Sequence, residues 1–176
     1  MLPKLVLTDL DGVWTDGGMY YDQTGNEWKK FNTSDSMGVL LCRAMNIEIA
    51  IITGEDTKIA KRRADKLKIK YLIQGSQDKF TDAEKLCRKL KITFKQAAYI
   101  GDDLIDLPVL QKVAFSGAPA NAPGYIKDKV DYVTHLCGGD GAFREFVEEM
   151  LRRENVLEKA ISKVLADRYT AKHKAK

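Results

Sequence analysis

The sequence predicts an α/β fold, a Rossmann-like parallel sheet with helices on both faces. Two runs, Lys4–Thr8 and Ile47–Thr53, are short and almost continuously apolar, the pattern of strands buried on both faces. Segments of helical length separate these runs from further ones, and strand alternating with helix is the order of a parallel sheet. The third observation is where the polar residues fall. Each run ends in residues able to do chemistry, and ligands of such sheets bind beyond the carboxyl ends of the strands.

Taken in order, Lys4-Leu-Val-Leu-Thr8 reads as a strand that stops at acidic residues and Gly12. Val13–Tyr21 and Glu27–Phe31 flank turn residues at Asp16-Gly-Gly18 and Asp22–Asn26, which predicts a small antiparallel flap over about 13–31. Ser34 or Asp35 can cap a helix running to about Met45. After the strand at 47–53, the alternation continues with helix 57–68, strand 70–73, helix 79–90, strand 97–101, helix 103–111, strand 113–116 and helix 140–152. One domain, 1–153, accounts for all of this, and 154–176 is left as a basic tail.

Charge and composition exclude several classes. The net charge is +4, and much of it sits in the tail, where Arg168, Lys172, Lys174 and Lys176 face only Asp167. A nearly balanced body is a poor footprint for nucleic acid. No apolar run approaches the length of a membrane span and no signal peptide is visible, so the expectation is a cytoplasmic protein without a membrane partner. Cys42, Cys87 and Cys137 form no close pair, which argues against a disulfide framework or a CxxC site. With only His135 and His173, a histidine-based metal site is not expected either.

The candidate chemistry is carboxylate chemistry. Alternation in extended backbone lets Asp9 and Asp11 project toward one site while Leu10 turns into the core. Such a pair alone is usually a solvated strand end. Gly101-Asp-Asp-Leu-Ile-Asp106 adds Asp102, Asp103 and Asp106 at another strand end, and an all-oxygen cluster suits Mg²⁺. The bland alternative, acids at a helix start, accounts for Asp103 better than for Asp102 and Asp106. Thr53 can simply fill a strand and Lys79 can be a solvated helix residue. Together they supply a hydroxyl and a fixed cation at the same rim, as a transferring phosphoryl group requires.

Asp9–Val13, Thr53-Gly54, Lys79 and Gly101–Asp106 resemble, in order and spacing, the four motifs of the haloacid dehalogenase superfamily. The resemblance implies that Asp9 is a nucleophile forming an aspartyl-phosphate, and that Asp11 protonates the leaving oxygen and then activates water. It further implies that Thr53 and Lys79 hold the phosphoryl oxygens. Asp9, Asp102 and the main-chain carbonyl of Asp11 would bind Mg²⁺, with Asp103 or Asp106 orienting Lys79 or metal waters. An acid at position 11 points to phosphate esters rather than to dehalogenation or ion pumping. The intervals 12–52 and 54–78 are too short for the cap domain that most members insert, so the fold is expected to be capless.

Within the superfamily, Asp11–Gly17 and Gly138–Glu145 resemble the capless sugar-acid phosphatases, a family that includes the 3-deoxy-manno-octulosonate 8-phosphate phosphatases. Members are typically homotetramers whose flaps complete shared active sites. Trp14, Met19, Tyr20, Tyr21 and Trp28 fit such packing between subunits, or else they cover the protein's own core. Octulosonate phosphatases usually carry Arg after the Thr-Gly pair, where this chain has Glu55. That departure resembles the branch acting on 2-keto-3-deoxy nonulosonate 9-phosphates such as KDN 9-phosphate, sialic-acid-type sugars. In that branch Glu55 would meet a neighbouring subunit's Lys66, since within one chain the two lie roughly 16 Å apart along a helix. Arg144 either reaches a substrate carboxylate or pairs with Glu148. The substrate-binding candidates are therefore Thr53, Gly54, Glu55, Lys66, Lys79 and Arg144. An octulosonate phosphatase, a non-catalytic oligomerisation module and a phosphotransferase remain as alternatives.

Overall fold

A computed structural model describes residues 1–174, with side-chain surroundings through Asp167. The central strand is β1 (Leu5–Thr8), buried along its whole length between two parallel neighbours. Each later strand arrives by a helical crossover: α1 (Asp35–Ala44) leads to β4 (Glu48–Ile52), α2 (Lys58–Leu67) to β5 (Tyr71–Ile73), and α3 (Lys79–Leu90) to β6 (Ala97–Ile100). Beyond these lie α4 (Leu107–Leu110), β7 (Phe115–Ala118), α5 (Gly124–Lys127), β8 (Tyr132–Val133), α6 (Ala142–Arg153) and α7 (Leu157–Lys174). The sheet order β5-β4-β1-β6-β7-β8 puts β1 in the interior, with chain growing outward on either side. The strands β2 (Tyr20–Tyr21) and β3 (Glu27–Trp28) form the expected antiparallel flap.

Side-chain alternation along β1 divides the core in two. Val6 faces a cluster with Trp14, Val39, Leu41, Phe143, Phe146 and Leu151. Leu5 and Leu7 face another, with Ala83, Leu86, Tyr99, Val109 and Ile126. Local signals set the helix ends. Thr57 caps α2 by accepting from the Ala60 N–H at 3.2 Å, and Asp78 caps α3 by accepting from the Thr81 N–H at 3.1 Å. Lys68 and Lys91 end those helices in the left-handed conformation.

Four sequence expectations change. Ser34 stands at the head of α1 without a side-chain cap bond, and Asp35 lies inside the helix, where its carboxylate accepts the Arg144 N–H at 3.0 Å and ties α1 to α6. The strand expected at 113–116 begins at Phe115, because Val113 still closes a helical turn onto Val109. Trp14 is fully buried in its own protomer, stacked on Phe143 with ring centroids 4.1 Å apart, so it is no part of a surface between subunits. The domain also does not stop at 153. Ala160 and Val164, spaced to share one helical face, are buried in the core and bring α7 against α1. The side chains of Arg168, Lys172 and Lys174, and all of Lys176, lie outside the described residues. Among the described residues no helix is long and apolar enough to cross a membrane.

Candidate active site

The ends of β1, β4 and β6 deliver Asp9, Asp11, Thr53 and Asp102 to one rim. Register pairs Thr8 with Ile51 on one side and Ile100 on the other, so the loops that follow are neighbours. Asp9 continues the ladder, donating its N–H to Ile100 at 3.0 Å. Behind it the Trp14 indole N–H donates to the Thr8 hydroxyl at 3.0 Å, which anchors the loop to the core. Gly12 then turns at φ +85°, and a Cβ there would lie 2.0 Å from an Asp102 oxygen. The Gly138 backbone approaches so closely that a Cβ would fall 1.8 Å from the Gly12 carbonyl oxygen. The late glycine motif therefore supports the Asp9 loop from behind.

Lys79 opens α3 and is buried, with its Nζ 2.7 Å from both Asp9 Oδ1 and Asp106 Oδ1. Asp106 is fully occupied: its Oδ1 also accepts the Tyr99 hydroxyl, and its Oδ2 accepts the backbone N–H groups of Asp102 (3.0 Å) and Asp103 (3.1 Å). Asp9, Asp102 and Asp106 each offer an oxygen within 4.8 Å of the others, the geometry of a cation site. Since Asp106 has its partners already, Asp9 and Asp102 are the carboxylates left to hold a metal. One buried Asp102 oxygen, Oδ1, has no hydrogen-bond partner among the described residues.

Burial, followed by repulsion from Asp106, raises the Asp9 carboxyl pKa well above the usual range against the pull of Lys79. The same two causes push Asp102 up to about 6. Burial works against the Lys79 ammonium, yet its two carboxylate partners hold its pKa above the ordinary value. A crowded, dry group of carboxylates around one lysine is a site that gains from a divalent cation.

A family model for haloacid dehalogenase-like hydrolases matches residues 66–146. A 3-deoxy-D-manno-octulosonate 8-phosphate phosphatase from Salmonella typhi is 41% identical over 157 residues, covering 89% of this chain and 84% of that protein. The chain belongs to the haloacid dehalogenase-like hydrolases. The enzyme of the same name from Haemophilus influenzae is 40% identical over 86% of this chain and 84% of its own. The crystal structure of the Moraxella catarrhalis phosphatase, in complex with magnesium, phosphate and KDO, superposes with a TM-score of 0.87 at 37% identity, covering 91% of this chain and 92% of that one. This hydrolase is a phosphatase.

In this haloacid dehalogenase-like enzyme, Thr53 is buried at the end of β4, its hydroxyl accepting the Glu55 N–H at 3.2 Å, and Gly54 follows it at the rim. Of the two acids considered for orienting Lys79, Asp106 does so, while Asp103 caps the next turn by accepting the Leu104 N–H. Arg144 pairs with Glu148 at 2.7 Å beside a cavity lined by Asn32, His135 and Leu136. Lys66, in α2, lines a separate cavity with Arg43 and Lys68. Two residues escaped the sequence reading. Tyr99 lay hidden in an apolar run, and Lys29 lay between Trp28 and Lys30, where only period-two alternation separates an inward lysine from an outward one.

Proposed function

We propose that this phosphatase hydrolyses a 2-keto-3-deoxy sugar-acid phosphate, by preference a nonulosonate 9-phosphate such as KDN 9-phosphate, through a phosphoryl group carried on Asp9. An Asp9 oxygen attacks phosphorus, and the bond to the sugar oxygen breaks as Asp11 gives that oxygen a proton. Asp11 then takes a proton from the water that attacks the aspartyl-phosphate, which releases inorganic phosphate and restores Asp9. The Lys79 ammonium, the Thr53 hydroxyl and the Gly54 N–H supply donors to the phosphoryl oxygens. Asp9, Asp102 and the Asp11 carbonyl would hold Mg²⁺, a fit supported by the all-oxygen cluster and the unpartnered Asp102 oxygen. When bound, the ion neutralises phosphoryl charge so that a carboxylate can approach.

The observation that carries the choice of sugar is Glu55. Its carboxylate, partly exposed, stands at the rim beside Asp11, where it can accept from sugar hydroxyls but repels a substrate carboxylate. The second reading is the octulosonate 8-phosphate, favoured by what the Salmonella and Haemophilus relatives are named for. A homotetramer is supported by the exposed Met19, Tyr20, Tyr21 and Trp28 on the flap. In that assembly the partner subunit's Lys66 would approach Glu55. Convergence of Asp9, Lys79 and Asp102 favours catalysis over a purely structural module.

The test is phosphate release from purified enzyme with both sugar-acid phosphates and Mg²⁺. Higher kcat/KM on the nonulosonate is expected, with Asp9→Asn and chelation abolishing turnover. Glu55→Arg should move the ratio toward the octulosonate by about tenfold or more. An unchanged ratio would refute the assignment of Glu55.

A further inference from the structure

Lys29 follows β3 on the flap, and its side chain is only 1% exposed, while that of its neighbour Lys30 is 53% exposed. A lysine so deeply covered is found almost solely where its charge is met. Here it is met twice, by Asp11 Oδ1 at 2.7 Å and by Glu55 Oε2 at 2.8 Å. One ammonium thus joins three segments that are far apart in sequence: the loop after β1, the flap and the loop after β4. Its removal would leave two carboxylates facing each other without a counter-charge, free to swing apart into solvent.

The geometry at Asp11 is asymmetric. Lys29 and the Thr15 hydroxyl, at 3.3 Å, both use Oδ1. The other oxygen, Oδ2, is buried without a partner among the described residues. An acid that must hand a proton to a leaving oxygen needs one oxygen anchored and the other uncommitted, and Oδ2 is the uncommitted one.

We propose that Lys29 is a positioning residue that acts on both ends of the substrate, turning Asp11 Oδ2 toward the leaving oxygen and holding Glu55 where it meets the sugar. The inference rests on the roles given above to Asp11 and Glu55. It implies that protonation of the leaving group and selection of the sugar are coupled through a single ammonium. A substrate whose leaving group needs no proton and carries no sugar should bypass that coupling.

The experiment compares the preferred sugar-acid phosphate with p-nitrophenyl phosphate, following the first turnover of nitrophenolate release so that only the attack by Asp9 is read. For Lys29→Met, kcat on the sugar substrate should fall about 100-fold and KM should rise several-fold, whereas the nitrophenolate burst should slow by no more than about threefold. Lys29→Arg should recover most of the sugar activity, since it keeps both charges paired. Lys29→Gln carries the same expectation as Met should the methionine variant not fold, as judged by its melting curve. Equal losses on the two substrates, or full sugar activity without the lysine, would overturn the proposal. Asp11→Asn in the otherwise native enzyme separates the two levels. If it spares the nitrophenolate burst and blocks sugar turnover, the acid role of Asp11 stands and Lys29 is judged on its own variants. If it affects both alike, the reading of Asp11 itself is at fault and the proposal for Lys29 falls with it.

Discussion

The Asp9 and Asp102 carboxyls are held above their ordinary pKa values, first by burial and then by Asp106, with Asp102 at about 6. A metal must displace any proton they carry, so affinity follows the ionised fraction. The sign is therefore fixed: below about 6 Asp102 takes up a proton and Mg²⁺ binds more weakly. Calorimetric titration should show the apparent Mg²⁺ affinity dropping by up to about tenfold per pH unit as pH falls from 6 to 5 and Asp102 takes up its proton. Affinity independent of pH over that interval would contradict the raised pKa of Asp102. Asp106 adds its charge to the site without being a free ligand, because Lys79, Tyr99 and two backbone N–H groups take its oxygens. That Asp9, Asp11, Thr53, Lys79 and Asp102 gather at one rim was legible from the strand ends in the sequence. Lys29 was not, since a lysine between Trp28 and another lysine looks like an ordinary surface residue until its two carboxylates arrive from distant loops.

Among the elements, Trp14 at the start of the flap segment and the last helix departed furthest from expectation, and both for reasons of packing. Trp14 and Trp28 lie close in sequence on the segment read as a flap, yet Trp14 is fully buried and Trp28 is 50% exposed. Trp14 stacks on Phe143 and donates to Thr8, so it belongs to the core and to the loop that carries Asp9. Trp14→Ala should accordingly cost about 3–5 kcal/mol of stability in urea denaturation. Trp28→Ser should stay within about 0.5 kcal/mol for the isolated protomer. Equal costs would mean that the flap packs differently. The last helix was missed because Ala160 and Val164 make a narrow apolar stripe among many charged residues, a weak periodic signal that becomes meaningful only against α1.

At the scale of the whole molecule, the sheet order β5-β4-β1-β6-β7-β8 explains why one rim carries the chemistry: β1 is interior, and its neighbours β4 and β6 bring Thr53 and Asp102 beside Asp9. Among the described residues no cap domain covers this rim, and in the proposed assembly cover for a small substrate would come from another subunit packing on the exposed Met19, Tyr20, Tyr21 and Trp28. Light scattering should find a tetramer, and the double variant Tyr21→Ser, Trp28→Ser should shift it to smaller species with higher KM. An active native monomer would exclude shared sites. The sequence by itself determined the parallel α/β architecture, the flap and the acidic rim, because apolar runs, helical spacing and turn residues are local patterns that a linear reading detects. Only the tertiary structure decided that Asp106 is a support for Lys79, that Arg144 pairs with Glu148, that Trp14 is core, and that Lys29 joins Asp11 to Glu55. Those outcomes depend on which charges and rings meet across loops far apart in sequence, and that is settled by packing and burial.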